Sequence, residues 1–335
     1  MSRQSLTIII PVLNEAANLD ALVARLLPVL EVLGKTWDVL FVDDGSSDGT
    51  LARLRALHAA DGRIRAVALS RNFGKELALA AGLRYATGDA AIMIDADLQH
   101  PPELMREFVA KWDDGYEIVY GQRADRSTDG MLRRLLTRMF YTAFHTLSRT
   151  PIPDGAGDYR LLDRKAIDAM NRLSERERFN KGLYSWIGFR AIGVPYHVAV
   201  RHGGQGKWGA RRLLHFAIDG ITSFSTVPLR IWSYLGLLIS LLAFAYAVYV
   251  LAWTLTFGAD LPGYPTIVIS IMFFSGVQLI SLGVIGEYLG RIYEEVKGRP
   301  LYVVTEEIGI SERRGGSDRR QAASAALSSN PSKSV

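Results

Sequence analysis

The segment AIMIDADLQ, residues 91–99, joins a short apolar run directly to two aspartates. Three similar runs, Leu6–Ile10, Asp38–Val42 and Ile64–Leu69, precede it, and helical patterns such as Ala21–Leu33 lie between them. Strands that alternate with helices of this length predict a mostly parallel β-sheet covered by helices on both faces. The predicted fold class of this region is therefore α/β.

Polar side chains follow three of the four predicted strands, at the point where each strand ends. Asn14 and Glu15 come after the first strand, Asp44 after the second, and Asp95 and Asp97 after the fourth. In sheets of this class, ligands bind beyond the carboxyl ends of the strands. Ordinary turns and helix caps explain any one of these clusters, but three of them together predict a ligand site.

The two aspartates after the fourth strand carry the metal prediction. Mg²⁺ and Mn²⁺ prefer oxygen ligands and bind through one or two carboxylates together with substrate phosphate oxygens. Asp95 and Asp97, with the Gln99 carbonyl, predict such a site, although an isolated Asp-x-Asp also occurs in solvated loops. The ion would act as a Lewis acid that assists the departure of a diphosphate.

Several motifs together carry a resemblance to a known family. The chain resembles the inverting nucleotide-sugar glycosyltransferases of family 2, which have the GT-A fold. Within that family it is similar to the polyprenyl-phosphate glycosyltransferases, which include dolichol-phosphate mannose synthases and the bacterial bactoprenol glucosyltransferases associated with O-antigen modification. The resemblance extends from Leu6 to Val304. Its motifs are PVLNE (11–15), VDDGSSDGT (42–50), RNFGKE (71–76), DADLQHPPE (95–103) and GEYLGRIYEEVKGRP (286–300).

The resemblance implies which residues bind the donor. They are Pro11, Leu13, Asn14, Glu15, Asp44, Asp95, Ala96, Asp97, Arg123, Arg201 and Lys207. Arg201 and Lys207 match a basic loop that closes over the diphosphate, and the alternative is an ordinary juxtamembrane basic cluster. Gly206 and Trp208 replace a serine and a tyrosine that this loop often has in the family, so the cation is retained and the hydroxyl contacts are in doubt.

Asp158 stands where the family has its proposed catalytic carboxylate, and Asp154 is the alternative nearby. The second pKa of a phosphate monoester is about 6, so an acceptor phosphate is largely ionised at neutral pH without a base. Asp158 is therefore expected to orient the acceptor or the sugar more than to remove a proton. Arg178 and Lys181 are expected to contact the acceptor phosphate.

Two apolar runs, residues 230–257 and 264–286, are each longer than the roughly 20 residues of a membrane-spanning helix. Between Ile231 and Gly286 the only charged residue is Asp260. A pair of helices buried in a soluble core is the alternative. Lys and Arg cluster outside the two runs and are absent from their connection, so both termini are predicted to face the cytoplasm. The N-terminus has no signal-peptide pattern, which also predicts a cytoplasmic catalytic domain.

The remaining segments complete the predicted organisation. A GT-A catalytic domain covers residues 1–210 and includes an amphipathic helix at 128–149, which either lies in a membrane interface or packs on the domain itself. A juxtamembrane amphipathic helix at 211–229 leads to the first apolar run. Residues 287–310 are predicted as a cytoplasmic segment, and residues 311–335 as a disordered tail.

Composition excludes several functional classes. The chain has no cysteine, which excludes disulfides and thiolate metal sites. Its net charge of +5 is modest, and its basic residues lie near the apolar runs and not along a stripe. Nucleic acid is therefore not an expected partner.

The resemblance implies transfer of a hexose from a nucleotide-sugar, UDP-glucose being the expected one, to undecaprenyl or another polyprenyl phosphate at a bacterial inner membrane. The residues leave the sugar and the choice between UDP and GDP open. The alternatives are a processive polysaccharide synthase, whose Gln-x-x-Arg-Trp segment is absent, and an inactive membrane scaffold with a nucleotide pocket. Membrane lipid, a second copy of the chain, and a downstream flippase and transferase are the expected partners.

Overall fold

The computed structural model describes residues 4–97, 99–123, 153, 156–173, 175–176, 178–196 and 263–310, with separate positions between 236 and 257. In these ranges one sheet contains the strands β1 (Ser5–Val12), β2 (Thr36–Asp43), β3 (Ile64–Leu69), β4 (Ala90–Met93), β5 (Ile118–Arg123), β6 (Ala156–Asp163), β7 (Ala191–Tyr196) and β8 (Val304–Ile308). The helices are α1 (Leu19–Glu31), α2 (Thr50–Ala60), α3 (Lys75–Tyr85), α4 (Met105–Asp113), α5 (Arg164–Arg172), α6 (Asn180–Trp186) and α7 (Tyr264–Val296), with a 3₁₀ turn at Pro102–Leu104.

The sheet is mostly parallel, and its strand order is β7-β5-β6-β4-β1-β2-β3-β8. β1 pairs in parallel with β2 and β4, β2 pairs with β3, and β5 pairs with β7. Only β6 and β8 run antiparallel to their neighbours within this sheet. The predicted α/β class is confirmed, and the loops after β1, β2 and β4 meet at one edge of the sheet.

Helices α1 and α3 cover opposite faces of the central strands, so β1 is apolar at almost every position. Successive side chains of a strand point to opposite faces. Ile8 and Ile10 accordingly pack in one core cluster with Leu22 of α1. Ile9 packs in the other cluster, against α3, where a Cβ added at Gly82 would lie 2.2 Å from Ile9 Cγ2. A glycine at position 82 therefore lets α3 approach the sheet this closely.

Helix α7 is 33 residues long, which corresponds to about 50 Å at 1.5 Å per residue. Among the described residues one helical stretch, Phe273–Val296, is long and apolar enough to cross a membrane, with a mean hydropathy of 1.3 and none of it buried. The described positions between 236 and 257 are also helical. The rings of Trp253 and Phe257 there lie 4.6 Å apart.

After α7 the chain returns to the eight-stranded sheet, where β8 pairs antiparallel with β3. Arg176 fixes the end of α7, because its Nη1 donates to the Glu295 carbonyl at 2.7 Å and its Nε to the Arg299 carbonyl at 3.0 Å. The segment 287–310 therefore contains the last turns of α7 and an edge strand that the sequence analysis did not predict.

Three predicted segments lie outside the described residues. They are the amphipathic helices at 128–149 and 211–229 and the tail at 311–335.

Candidate active site

The loops after β1 and β2 are joined to each other. Asn14 has a φ of 56°, a left-handed conformation that asparagine tolerates better than most residues. Its backbone N–H donates to Ser46 Oγ at 2.8 Å, and its Oδ1 accepts from the Ser47 N–H at 2.9 Å. The Glu15 N–H donates to Thr50 Oγ1 at 3.0 Å. The loop that carries Asn14 and Glu15 is thus held against the loop that carries Asp44.

The Asp44 carboxylate is buried and holds the loop that leads into α3. Its Oδ1 accepts from the Phe73 N–H at 2.7 Å and its Oδ2 from the Gly74 N–H at 2.9 Å. Burial raises the pKa of Asp44, although both hydrogen bonds oppose that shift. Gly45, with a φ of 74°, lies so close to this loop that a Cβ would be 2.4 Å from the Arg71 carbonyl carbon. The start of α3 is therefore fixed from two sides.

Lys75, the first residue of α3, joins two of the predicted site carboxylates. Its Nζ lies 2.6 Å from Asp95 Oδ1, 2.8 Å from Asp95 Oδ2 and 3.0 Å from Asp158 Oδ2. Desolvation opposes the charge of the ammonium, but Asp158 and Asp95 raise the pKa of Lys75 above its ordinary value. A predicted metal-binding carboxylate and the predicted catalytic carboxylate are thus connected through one cation.

Asp158 has one engaged and one unengaged carboxylate oxygen. Its Oδ1 is buried and has no hydrogen-bond partner among the described residues. Burial favours the neutral acid, but Lys75, Lys181 and Arg160 together lower the pKa of Asp158 below its ordinary range. Asp158 is therefore a carboxylate at neutral pH, and one of its oxygens can accept a hydrogen bond from a substrate.

The Arg160 side chain lies on the same face of β6 as Asp158, because the two residues are separated by one position in the strand. Its guanidinium carbon is 4.2 Å from the centre of the Tyr184 ring and 5.7 Å from that of Tyr120. Burial lowers the pKa of Arg160, although the neighbouring Tyr184 and Asp158 favour the charged form. The Arg160 Nη2 has no hydrogen-bond partner in the described part of the chain.

Glu76 lies beside this cluster and is connected to α6. The buried Asn180 donates from its backbone N–H to Glu76 Oε2 at 3.1 Å and from its Nδ2 to the Glu76 carbonyl at 3.1 Å. Burial, reinforced by the charge of Asp158, raises the pKa of Glu76 to about 7. Glu76 is thus a half-buried carboxyl group whose charge depends on pH near neutrality.

The predicted metal ligands are oxygen donors at a short turn. Asp97 Oδ1 accepts from the Gln99 N–H at 3.1 Å, which shapes the turn after β4. Among the described residues, no group of three or more His, Asp and Glu side chains is arranged to hold an ion. Asp95, Asp97 and Gln99 suit Mg²⁺ or Mn²⁺ in a site that takes its remaining ligands from phosphate oxygens and water. The residues therefore fit an ion that binds together with a diphosphate.

His100 belongs to the site, although the sequence analysis gave it no role. Its Nδ1 lies 3.7 Å from Asp95 Oδ2, and its ring stacks on Tyr159 with the ring centres 5.0 Å apart. Burial lowers the pKa of His100 despite the nearby Asp95. Lys75 and Glu76 were missed in the same way. The available signal was their position inside motifs that were already quoted for other residues.

The other predicted donor residues lie at the ends of strands. Pro11 is near the end of β1, the side chain of Leu13 just beyond it is 38% exposed, and Ala96 is buried between the two aspartates. Arg123 is the last residue of β5. Arg201 and Lys207 lie outside the described residues.

The two residues predicted to bind the acceptor differ in their surroundings. Lys181 lies close enough to Asp158 to lower the pKa of that carboxyl group. The Arg178 Nη2 instead donates to the Met170 carbonyl at 3.1 Å, at the end of α5. Asp154, the alternative to Asp158, is outside the described residues.

Comparison with known proteins shows which proteins this chain is similar to. Residues 7–170 match Glycosyl transferase family 2, and residues 227–292 match the GtrB C-terminal hairpin. An uncharacterized glycosyltransferase of Synechocystis sp. is 50% identical over 91% of this chain and 96% of its own length. A mannosyltransferase from Pyrobaculum calidifontis, solved with GDP-Man and Mn²⁺, superimposes with a TM-score of 0.49 at 18% identity, covering 88% of each chain.

The chain therefore belongs to glycosyltransferase family 2, and its mostly parallel α/β sheet is the Rossmann-like GT-A arrangement of that family. It is a glycosyltransferase. Its full-length relatives include the bactoprenol glucosyl transferase of Shigella phage SfII, which is 41% identical over 89% of this chain and 97% of the phage protein.

Proposed function

We propose that the chain transfers glucose from UDP-glucose to undecaprenyl phosphate, with inversion at the anomeric carbon. The observation that carries this proposal is the position of Asp158, held through Lys75 beside Asp95 with one buried oxygen unengaged. The names of the bactoprenol glucosyl transferases, which are 40–41% identical to this chain, support the sugar and the acceptor.

The proposed reaction is a single in-line displacement. An oxygen of the acceptor phosphate attacks the anomeric carbon and forms the new C–O bond. The bond from that carbon to the diphosphate oxygen breaks, and UDP leaves with the electron pair. No proton has to be removed from the acceptor, because its second pKa is about 6. Catalysis then consists mainly of positioning and charge stabilisation.

The residues at the ends of the strands divide this work. The nucleoside lies over the loops after β1 and β2, and Asp95, Ala96 and Asp97 face the diphosphate. When bound, Mg²⁺ or Mn²⁺ held by the two aspartates and Gln99 neutralises the charge that develops on the leaving diphosphate. Further donor contacts are assigned to Pro11, Leu13, Asn14, Glu15, Asp44, Arg123, Arg201 and Lys207.

Asp158 orients the reacting groups. Its free Oδ1 accepts a hydrogen bond from a sugar hydroxyl, and its negative charge keeps Lys75 and Lys181 beside the reacting groups. Lys181 is the better candidate for contact with the acceptor phosphate, since Arg178 already donates to a backbone carbonyl.

The proposed acceptor is a membrane lipid, and two spans at 230–257 and 264–286 hold the catalytic domain at the inner membrane. α7 measures about 50 Å, whereas the hydrocarbon core of a bilayer is about 30 Å thick. The last turns of α7 therefore emerge from the bilayer, and Arg176 holds them against the catalytic domain. Both termini and the catalytic domain are placed in the cytoplasm, where the nucleotide-sugar is available.

A donor panel tests the proposal. Detergent-purified protein is incubated with undecaprenyl phosphate, Mg²⁺ or Mn²⁺, and radiolabelled UDP-glucose, UDP-galactose, UDP-N-acetylglucosamine or GDP-mannose. We expect label in the lipid phase from UDP-glucose, lost with EDTA, with Asp97→Ala, and when undecaprenol replaces its phosphate. Transfer from another donor, or transfer to undecaprenol, would contradict the proposed substrates.

A further inference from the structure

Lys75 connects Asp95, a predicted metal ligand, to Asp158, the predicted catalytic carboxylate. These contacts use all the hydrogen-bonding capacity of its ammonium group. A lysine has three N–H donors, and three carboxylate oxygens lie within reach, two on Asp95 and one on Asp158, at 2.6, 2.8 and 3.0 Å. Both oxygens of Asp95 are therefore occupied by a cation that belongs to the chain itself.

The position of Lys75 is fixed by its backbone as well as by its ion pairs. The two residues before it, Phe73 and Gly74, donate their N–H groups to the buried Asp44 carboxylate. The residue after it, Glu76, is held by Asn180 through two hydrogen bonds of 3.1 Å. The Lys75 side chain is 40% exposed, but the fixed backbone and the ion pairs hold its ammonium group in one position.

We propose that Lys75 is a positioning residue that competes with the divalent ion for Asp95 until the donor diphosphate arrives, and that keeps Asp158 aligned throughout. This inference rests on the proposed function. Without a donor, Lys75 neutralises Asp95, so the ion binds weakly. With a donor, phosphate oxygens would supply further ligands to the ion, Asp95 would be freed to bind it, and Lys75 would keep its pair with Asp158. The ion and the nucleotide-sugar therefore enter the site together.

The effect on ion binding follows from charge alone. Removing one positive charge that lies within 3 Å of a carboxylate strengthens the binding of a second cation to that carboxylate. At a partly exposed site, where the effective dielectric constant is well below that of water, we expect a change of about tenfold.

The test uses Lys75→Met, Lys75→Arg and, as a matched control, Lys111→Met. Lys111 is 41% exposed, and its Nζ pairs at 3.2 Å with Asp114, just beyond the end of α4. Free Mn²⁺ is measured by electron paramagnetic resonance in titrations of the full-length protein, with and without UDP. Initial rates of transfer are measured on the same samples, and circular dichroism verifies that each variant is folded.

We expect Lys75→Met to bind Mn²⁺ about tenfold more tightly than the wild type without UDP, and to show a smaller difference with UDP. Its kcat should fall about 100-fold with less than a threefold change in the KM for the donor. Lys75→Arg should keep the Mn²⁺ affinity of the wild type, and Lys111→Met should match the wild type throughout.

Unchanged or weaker Mn²⁺ binding by folded Lys75→Met, or a kcat close to that of the wild type, would overturn the inference. These outcomes are distinct from failure of the proposed function, which would appear as absence of transfer by the wild-type protein itself.

Discussion

Asp158 lies on β6, Asp95 lies just beyond the end of the neighbouring strand β4, and one lysine holds them in a common site. One oxygen of Asp158 pairs with Lys75, which fixes the carboxylate, and the other has no hydrogen-bond partner among the described residues. This arrangement suits a residue that orients substrate. A proton acceptor would require a pKa nearer to neutrality, whereas the surrounding cations lower the pKa of Asp158.

Asp158→Asn should separate orientation from proton transfer. Asparagine has the same shape but loses the charge that pairs with Lys75, so we expect kcat to fall about 100-fold with little change in the KM for the donor. The acid limb of the pH–rate profile should stay near pH 6 in both proteins, since the acceptor phosphate sets it. Initial rates at a series of pH values check this, and loss of that acid limb in the variant would identify Asp158 as a base.

Glu76 should make stability depend on pH near neutrality. Its pKa is about 7 in the folded chain and 4.5 ordinarily, so the stability contributed by its protonated form is present below about pH 4.5 and lost as pH rises through 7. We expect the unfolding temperature of Glu76→Gln, relative to the wild type, to increase between pH 5 and pH 8. Differential scanning calorimetry measures it, with the exposed Glu107→Gln as control. A difference that does not vary with pH would refute the assignment.

At the scale of single residues, the sequence predicted the carboxylates of the site but not Lys75, the cation that joins two of them. Asp95, Asp97 and Asp158 were predicted from motifs, because each stands at a recognisable position. Lys75 is 20 residues from Asp95 along the chain and far from Asp158, so their contact depends on how α3 packs against the sheet. No local sequence pattern predicts that packing. The pKa values of Glu76 and His100 could not be predicted either, because they depend on burial in the folded chain.

At the scale of the elements, the central strands were predicted from composition. The run Leu6–Ile10 lies inside β1 and Ile64–Leu69 is β3 itself, because strands buried on both faces are apolar at nearly every position. β8 was not predicted. It is a short edge strand whose partner, β3, lies more than 200 residues earlier in the chain, and only three-dimensional packing brings the two together.

Arg176 should control how firmly the end of α7 is attached to the catalytic domain. Arg176→Ala removes its hydrogen bonds to the Glu295 and Arg299 carbonyls, so we expect faster amide exchange across residues 297–308. Hydrogen exchange with mass spectrometry measures this, with the exposed Arg172→Ala of α5 as the matched control. Equal exchange in both variants would show that β8 pairing alone fixes this segment.

At the scale of the whole molecule, the proposed arrangement places a soluble donor site beside a lipid acceptor. The last turns of α7 and strand β8 connect the predicted membrane region to the same sheet that carries the site. The sequence predicted two spans from the absence of charge, and the described residues contain one stretch that meets the length and hydropathy of a span. The first predicted span is described only at separate positions, so its boundaries stay a prediction.

The absence of cysteine makes the topology directly testable. We expect a cysteine introduced by Ala259→Cys, in the connection between the two runs, to react with a membrane-impermeant maleimide in spheroplasts. Ser317→Cys, in the C-terminal tail, should react only after lysis. Mass spectrometry of the labelled protein gives the result. Labelling of Ser317→Cys in intact spheroplasts would show that the C-terminus lies outside, which contradicts the proposed orientation.

The central claim is that glucose is joined to the phosphate of the lipid by one inverting displacement, and the anomeric configuration of the product tests it most directly. The product of UDP-glucose and undecaprenyl phosphate is purified, and the coupling of its anomeric proton is measured by nuclear magnetic resonance. UDP-glucose carries an α linkage, so the account predicts a β-linked glucosyl phosphate with a large diaxial coupling. An α-linked product, or glucose attached at any atom other than the phosphate oxygen, would contradict it.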